Sequence, residues 1–254
     1  MAERLIEAAM LQGSRKNQQD YIGHIVLQEG RCIAGVLSDG IGGHGNGNYA
    51  SKIVVESCIR TLDRQRATMV EDPRSIPDIL QHVVEKANHD LGQKIDAFPQ
   101  TKGMGATVVI AVVHDERLFW SSVGDSVLIL IRDGKAEQLN ESHSLATSLE
   151  RLRKIGANVA QNRPKGDFSG VLTSALSGGK IDAVDCPEDG RALHADDILL
   201  IASDGIETLS KANLVDACKG NSRKIPAEIC AGVVDLVLKR SDPKQDNLAV
   251  MAIT

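Results

Sequence analysis

ATVVIAVVHDERLFWSSVGDSVLILI, residues 106–131, is the stretch that decides how this chain is built. Three β-rich apolar runs, Ala106 to Val113, Leu118 to Val123 and Val127 to Ile131, follow one another closely. Only His114-Asp115-Glu116-Arg117 and Gly124-Asp125-Ser126 separate them, and such short polar spacers predict antiparallel hairpins. On the N-terminal side, apolar residues at helical spacing predict helices from about Tyr49 to Gln65 and from about Ser75 to Ile95, with Pro77 tolerated in the first turn of the second. Before them, Leu5 to Met10, Tyr21 to Leu27 and Cys32 to Leu37 read as strands. On the C-terminal side, Leu145 to Ile155 reads as a short helix and Gly156 to Gly170 as a polar, mobile stretch. Val171 to Leu176, Ile181 to Val184 and Ile198 to Ala202 are expected strands. Helices at about Lys211 to Cys218 and Pro226 to Lys239 follow, and the strand Leu248 to Ile253 comes last. Strands and helices in separate blocks predict an α+β layer architecture and not alternating βαβ units. No repeat or linker divides residues 1–254, which are read as one domain.

Apolar content of 42% and charged content of 25% are ordinary for a globular protein, while aromatics at 2% leave the core to Val, Ile, Leu and Ala. A net charge of −5 disfavours a general nucleic-acid binder. Cys32, Cys58, Cys186, Cys218 and Cys230 lack metal-ligand spacing and are expected to be reduced. No apolar run is long enough to span a bilayer, and Met-Ala-Glu-Arg-Leu-Ile-Glu does not resemble a signal peptide. The expectation is a cytoplasmic protein with no membrane partner.

Chemistry concentrates in acidic residues. Ser-Asp-Gly-Ile occurs twice, at residues 38–41 and 203–206, each time after an apolar run. Each copy is expected to end a buried strand in a turn and to leave an aspartate, Asp39 or Asp204, at the strand end. Asp20, in Gln18-Gln19-Asp20, and Asp246, before Asn247, also adjoin strand-like runs. Taken singly, Asp before Gly is ordinary turn chemistry. If the four converge within about 5 Å, each like-charge pair costs roughly 3 kcal/mol at an effective dielectric of about 20. Bound cations would offset that, and all-oxygen ligation selects hard ions such as Mg²⁺ or Mn²⁺. Arg15, five residues before Asp20, strengthens the reading of a polynuclear metal centre.

Two other motifs lose to this one. Gly40-Ile-Gly-Gly-His-Gly45 matches a dinucleotide fingerprint, with Asp63 near ribose-binding distance. A pyrophosphate there would face Asp39, and no parallel βαβαβ half follows. Cys58 to Arg64 has the spacing of a cysteine phosphatase, yet it contains no glycine and continues a helical period. No Ser/His/Asp grouping is evident.

Arg15-Lys-Asn-Gln-Gln-Asp20, Asp39-Gly-Ile-Gly-Gly-His44, Gly105-Ala-Thr107, Gly124-Asp-Ser126, Leu172-Thr-Ser-Ala-Leu176, Ser203-Asp-Gly205 and Asp246-Asn247 together resemble the metal-dependent Ser/Thr phosphatases of the protein phosphatase 2C type, in its bacterial form. The resemblance implies two packed antiparallel sheets flanked by helices. It implies that Asp39 bridges two Mn²⁺ or Mg²⁺ ions with the Gly40 carbonyl on one, and that Asp204 and Asp246 hold the other. Asp20 would act through water, Arg15 would grip the phosphate, and Asp125 with Asp204 would hold a third, weaker ion. A water shared by two ions would attack phosphorus in line, with no covalent intermediate. Ile41 stands where animal members carry a histidine, so His44 or a metal-bound water is left as the general acid. Gln19, Ser174 and Val127 also depart from frequent family residues. His143 to Gly170 corresponds to the family's variable flap. The expected activity is dephosphorylation of phosphoserine and phosphothreonine in proteins, opposing a Ser/Thr kinase, by a monomer. A catalytically silent metal-binding domain and a small-molecule phosphatase are the rivals.

Overall fold

Strands buried on both faces build the molecule outward from a layer between two sheets. The computed structural model describes residues 4–28, 31–42, 46–154, 170–219 and 225–254. One sheet contains β1 (Ile6–Leu11), β7 (Val127–Arg132), β8 (Lys135–Gln138), β10 (Ile198–Ala202) and β11 (Leu248–Ile253), in the order β1-β11-β10-β7-β8. The other contains β2 (Asp20–Leu27), β3 (Cys32–Ile41), β5 (Val108–His114), β6 (Arg117–Val123) and β9 (Arg191–Ala192) in that order, with β4 (Gly105–Ala106) paired to β3. All of these pairings are antiparallel.

Strand β5 shows the logic, because it is apolar at every position up to His114 and buried on both faces. Val109, Ala111 and Val113 fill the layer between the sheets with Leu37, Leu128, Ile201 and Met251. Val108, Ile110 and Val112 face outward onto α1 (Asn46–Arg64) and α3 (Ile76–Ala97), meeting Val54, Cys58 and Leu80. The other sheet packs against α5 (Lys211–Lys219) and α6 (Pro226–Arg240) through Leu200, Val215, Ile229 and Val233. The α+β sandwich expected from the sequence is therefore present. Cys58 is fully buried in α1, and burial pushes its thiol pKa up, which disposes of a cysteine-phosphatase reading. Among the described residues no helix is long and apolar enough to cross a membrane.

Four expectations need correction. Gly124-Asp125-Ser126 is not a hairpin turn, since β6 and β7 lie in different sheets and these residues carry the chain across the sandwich. The actual hairpin is β7–β8, turned at Asp133 (φ 51°) and Gly134 (φ 69°), the paired left-handed conformation of a two-residue loop. Residues 171–176 and 181–184 are not strands; the first makes isolated bridges at Leu172 and Leu176, and Asp185, just after the second, makes another. A side chain ties the two segments together. Ser174 Oγ accepts from Ala183 N–H (3.0 Å) and donates to Ala183 O (2.8 Å). Finally, Asp39-Gly40 is not a turn, because β3 runs on to Ile41. Gly40 is required by close approach: a Cβ there would lie 1.9 Å from Gly47 O in α1. Gly205 is similar, with Asn247 O at 2.0 Å from its Cβ position. Residues 155–169, most of the expected mobile stretch, lie outside the described residues, while α4 (Leu145–Lys154) precedes them as a helix. A further helix, α2 (Arg66–Glu71), was not expected.

Asn88 on α3 anchors the irregular segment. Its Oδ1 accepts from Ser177 N–H (3.0 Å) and Gly178 N–H (2.8 Å), and its Nδ2 donates to Gly179 O (2.7 Å). Asn88→Ala orphans three backbone groups and is expected to cost about 1–3 kcal/mol, read as a lower urea midpoint. An unchanged midpoint would show that the segment does not depend on this amide.

Candidate active site

The register of β2 against β3 places Asp20 directly opposite Asp39. Two like charges in that relation destabilise a sheet, so the pairing has a cost that folding alone does not explain. The other sheet brings Asp204 to the C-terminal end of β10 and Asp246 to the approach of β11. Ser203 Oγ links the halves by donating to Asp20 Oδ2 at 2.8 Å. All four aspartates thus lie at one end of the sandwich, two from each sheet.

Electrostatics record their proximity. Burial raises the Asp20 pKa to about 6, and the Asp246 charge pushes it the same way. Burial, then the charges of Asp20, Asp204 and Asp125, raise Asp39 well above the usual carboxylate range. Asp204 rises to about 7 through burial and the charges of Asp125 and Asp246. Asp125 rises to about 6, chiefly through burial. These are carboxylates without a counter-charge.

Arg15 forms an ion pair with Asp246. A cavity of about 350 Å³ opens beside this pair and is lined by Arg15, Asp125, Asp204, Glu207, Asp246 and Thr147. Glu207 was missed in the sequence. It lies three residues after Asp204 in a 3₁₀ turn over Asp204–Thr208, a spacing that aligns side chains on one face. Desolvation raises its pKa as well. Thr107 was quoted in the sequence only as a motif member. Its Oγ1 accepts from Asp39 N–H (3.0 Å) and contacts Ser126 Oγ (2.7 Å), so it steadies both Asp39 and the loop of Asp125.

The donor set can be tested for cations. Asp20 Oδ1 is buried and lacks a hydrogen-bond partner, which a cation or cation-bound water would supply. The nearby donors are oxygens, as hard divalent ions require. Among the described residues no three Asp, Glu, His or Cys side chains lie close enough to chelate one ion directly. The residues fit ions held by one or two carboxylates each, with water completing the shell. Gly40 N–H donates to Gln19 O (3.0 Å), which fixes the backbone beside Asp39. His44 lies outside the described residues.

Fold and site together define a class: a two-sheet α+β sandwich with an acidic cleft at one end and an arginine at its rim. Residues 12–223 match the family model of protein phosphatase 2C. Protein phosphatase PhpP of Streptococcus pneumoniae is 32% identical over 200 residues, covering 77% of this chain and 75% of that one. The solved S. agalactiae serine/threonine phosphatase superposes with a TM-score of 0.80 at 23% identity, over 98% of each chain. The catalytic domain of the phosphatase PstP, solved with two manganese ions, gives a TM-score of 0.72 at 24% identity, over 98% of this chain and 97% of that one. The chain belongs to the protein phosphatase 2C family.

Proposed function

We propose that this protein is a metal-dependent protein-serine/threonine phosphatase that hydrolyses phosphoserine and phosphothreonine in proteins without a covalent intermediate. The observation that carries this is the gathering of Asp125, Asp204, Glu207 and Asp246 on one cavity with Arg15 at its rim, at the end of the sandwich where Asp20 and Asp39 face each other across β2 and β3. Asp39, the Gly40 carbonyl and Asp20 would hold one side of a two-ion centre, Asp204 and Asp246 the other, with Asp125 available to a third ion. When bound, Mn²⁺ or Mg²⁺ supplies Lewis acidity toward water and phosphoryl oxygen. Arg15 binds the phosphate by exchanging Asp246 for an incoming dianion, a bidentate task suited to guanidinium. Thr107 and Ser203 keep the aspartates in place. His44 is the proposed donor to the leaving oxygen. The cellular setting follows the same reading: one phosphatase domain, a monomer in the cytoplasm acting against a Ser/Thr kinase, without nucleic-acid or membrane partners.

Hydrolysis of a phosphothreonine peptide and of p-nitrophenyl phosphate with Mn²⁺ and with chelator tests the function. The expected result is cation-dependent turnover on both. Turnover of neither under any cation would point to a silent domain, and preference for a phosphorylated metabolite to a small-molecule enzyme. In the same assay Arg15→Ala should lower kcat/KM roughly ten- to hundredfold, the worth of a charge-assisted hydrogen-bond pair, and Arg15→Lys should recover part of it.

A further inference from the structure

His143 lies outside the acidic cluster, yet it joins three segments that meet at the cavity. It is 7% exposed. Its backbone N–H donates to Gly124 O (2.8 Å), and Gly124 N–H donates to its Nδ1 (3.1 Å). Ring and main chain therefore clasp a single residue, Gly124, through both peptide groups that flank it, the second of which leads into Asp125. His143 O accepts from Thr173 N–H (2.8 Å). Next to it, Leu145 N–H donates to Val171 O (2.8 Å), and Ser144 bridges Leu172. So the chain leaving toward α4 and the chain returning at residues 171–173 are both fastened to the Asp125 loop at this residue. Nδ1 accepts, which assigns the ring proton to Nε2. Burial lowers the ring's pKa, in keeping with a neutral imidazole.

The loop is held elsewhere by groups of a different kind. Ser126 Oγ contacts Thr107, and Ser126 O accepts from Asn140 Nδ2 (2.9 Å). Those contacts secure the side of the loop that enters β7. His143 secures the Gly124 side, and it alone of the three also carries the wall formed by Ser144 and Thr147.

We propose that His143 is a positioning residue: by clasping Gly124 with ring and main chain, it sets Asp125 and the Ser144–Thr147 wall in one fixed relation, so that cation and phosphopeptide meet a preformed cavity. This rests on the proposed function only for its substrate arm.

The test compares the whole protein with H143A, H143N and H143Q. An asparagine amide oxygen can occupy the place of Nδ1, whereas glutamine carries its acceptor one atom too far. Mn²⁺ binding is followed by electron paramagnetic resonance of the free ion, and KM and kcat are measured on a phosphothreonine peptide and on p-nitrophenyl phosphate. H143A and H143Q are expected to weaken the loosest Mn²⁺ step about ten- to hundredfold and to raise KM for the peptide more than for p-nitrophenyl phosphate. H143N should return both to within about threefold of the wild type, no more than one weak hydrogen bond. Wild-type Mn²⁺ affinity in H143A or H143Q, whatever the melting temperature, overturns the proposal. So does equal behaviour of H143N and H143Q, and that comparison stands even if H143A fails to fold. A wild type that binds Mn²⁺ but turns over neither substrate defeats the proposed function instead, and the Mn²⁺ titration then decides the role of His143 alone.

Discussion

Asp39→Asn is expected to abolish turnover and, in chelator, to make the protein more stable. The Asp39 pKa is held well above the usual carboxylate range by burial and the charges of Asp20, Asp204 and Asp125. Asparagine keeps the shape of the side chain but carries no charge. Cation binding loses its central ligand, and activity should fall on the order of a thousandfold or more, beyond the loss from one missing transition-state donor. Stability moves the other way, because the wild-type carboxyl must either ionise beside Asp20, Asp204 and Asp125 or hold a proton at pH 8, and asparagine does neither. A gain of about 1–2 kcal/mol, or roughly 2–8 °C for a chain of this size, is expected in EDTA at pH 8. Thermal melts with parallel hydrolysis assays check both halves. A variant that melts lower in EDTA, or that retains turnover, would mean that Asp39 is not the strained centre of the site.

The second large effect concerns pH. Unfolded aspartates titrate near 3.9. Folded and free of cations, Asp20 and Asp125 titrate at about 6 and Asp204 at about 7. Between those values the folded protein holds more protons than the unfolded one, so its stability falls as pH rises from about 4 through 7. Melting temperature in EDTA should therefore drop across that window. Mn²⁺ should reverse the trend by neutralising the ionised cluster. At a hundred times its dissociation constant it adds about 2.7 kcal/mol, or roughly 5–11 °C. The gain should shrink at pH 5, where protonated carboxylates hold cations poorly. A cation effect equal at pH 5 and pH 8, or an EDTA melt that rises toward neutrality, would contradict the assignment of these acids to the cleft.

The sequence showed most of the layers because doubly buried strands such as β5 and amphipathic helices such as α1 write their burial directly into residue choice. Its failures came where partner identity matters. Nothing local to Gly124-Asp125-Ser126 says whether the next strand pairs with the last or joins the opposite sheet. Val171 to Leu176 has strand-like composition, yet its backbone meets single residues, Leu145, His143 and Ala106, and no continuous neighbouring strand. The aspartates were legible as strand-end acids, and Asp133-Gly134 carried a hairpin signal that went unused. Glu207 could be found only by knowing that a 3₁₀ turn follows β10. His143 stood out as a histidine, but its role depends on a peptide nineteen residues away in sequence.

The hydrogen bond from Ser203 to Asp20 crosses from one half of the sandwich to the other. Because each half owns only two of the four acids, neither can assemble a working centre by itself. Competence toward cations therefore reports docking of the halves, so a partly melted chain with one half intact would fall silent before it lost its helices.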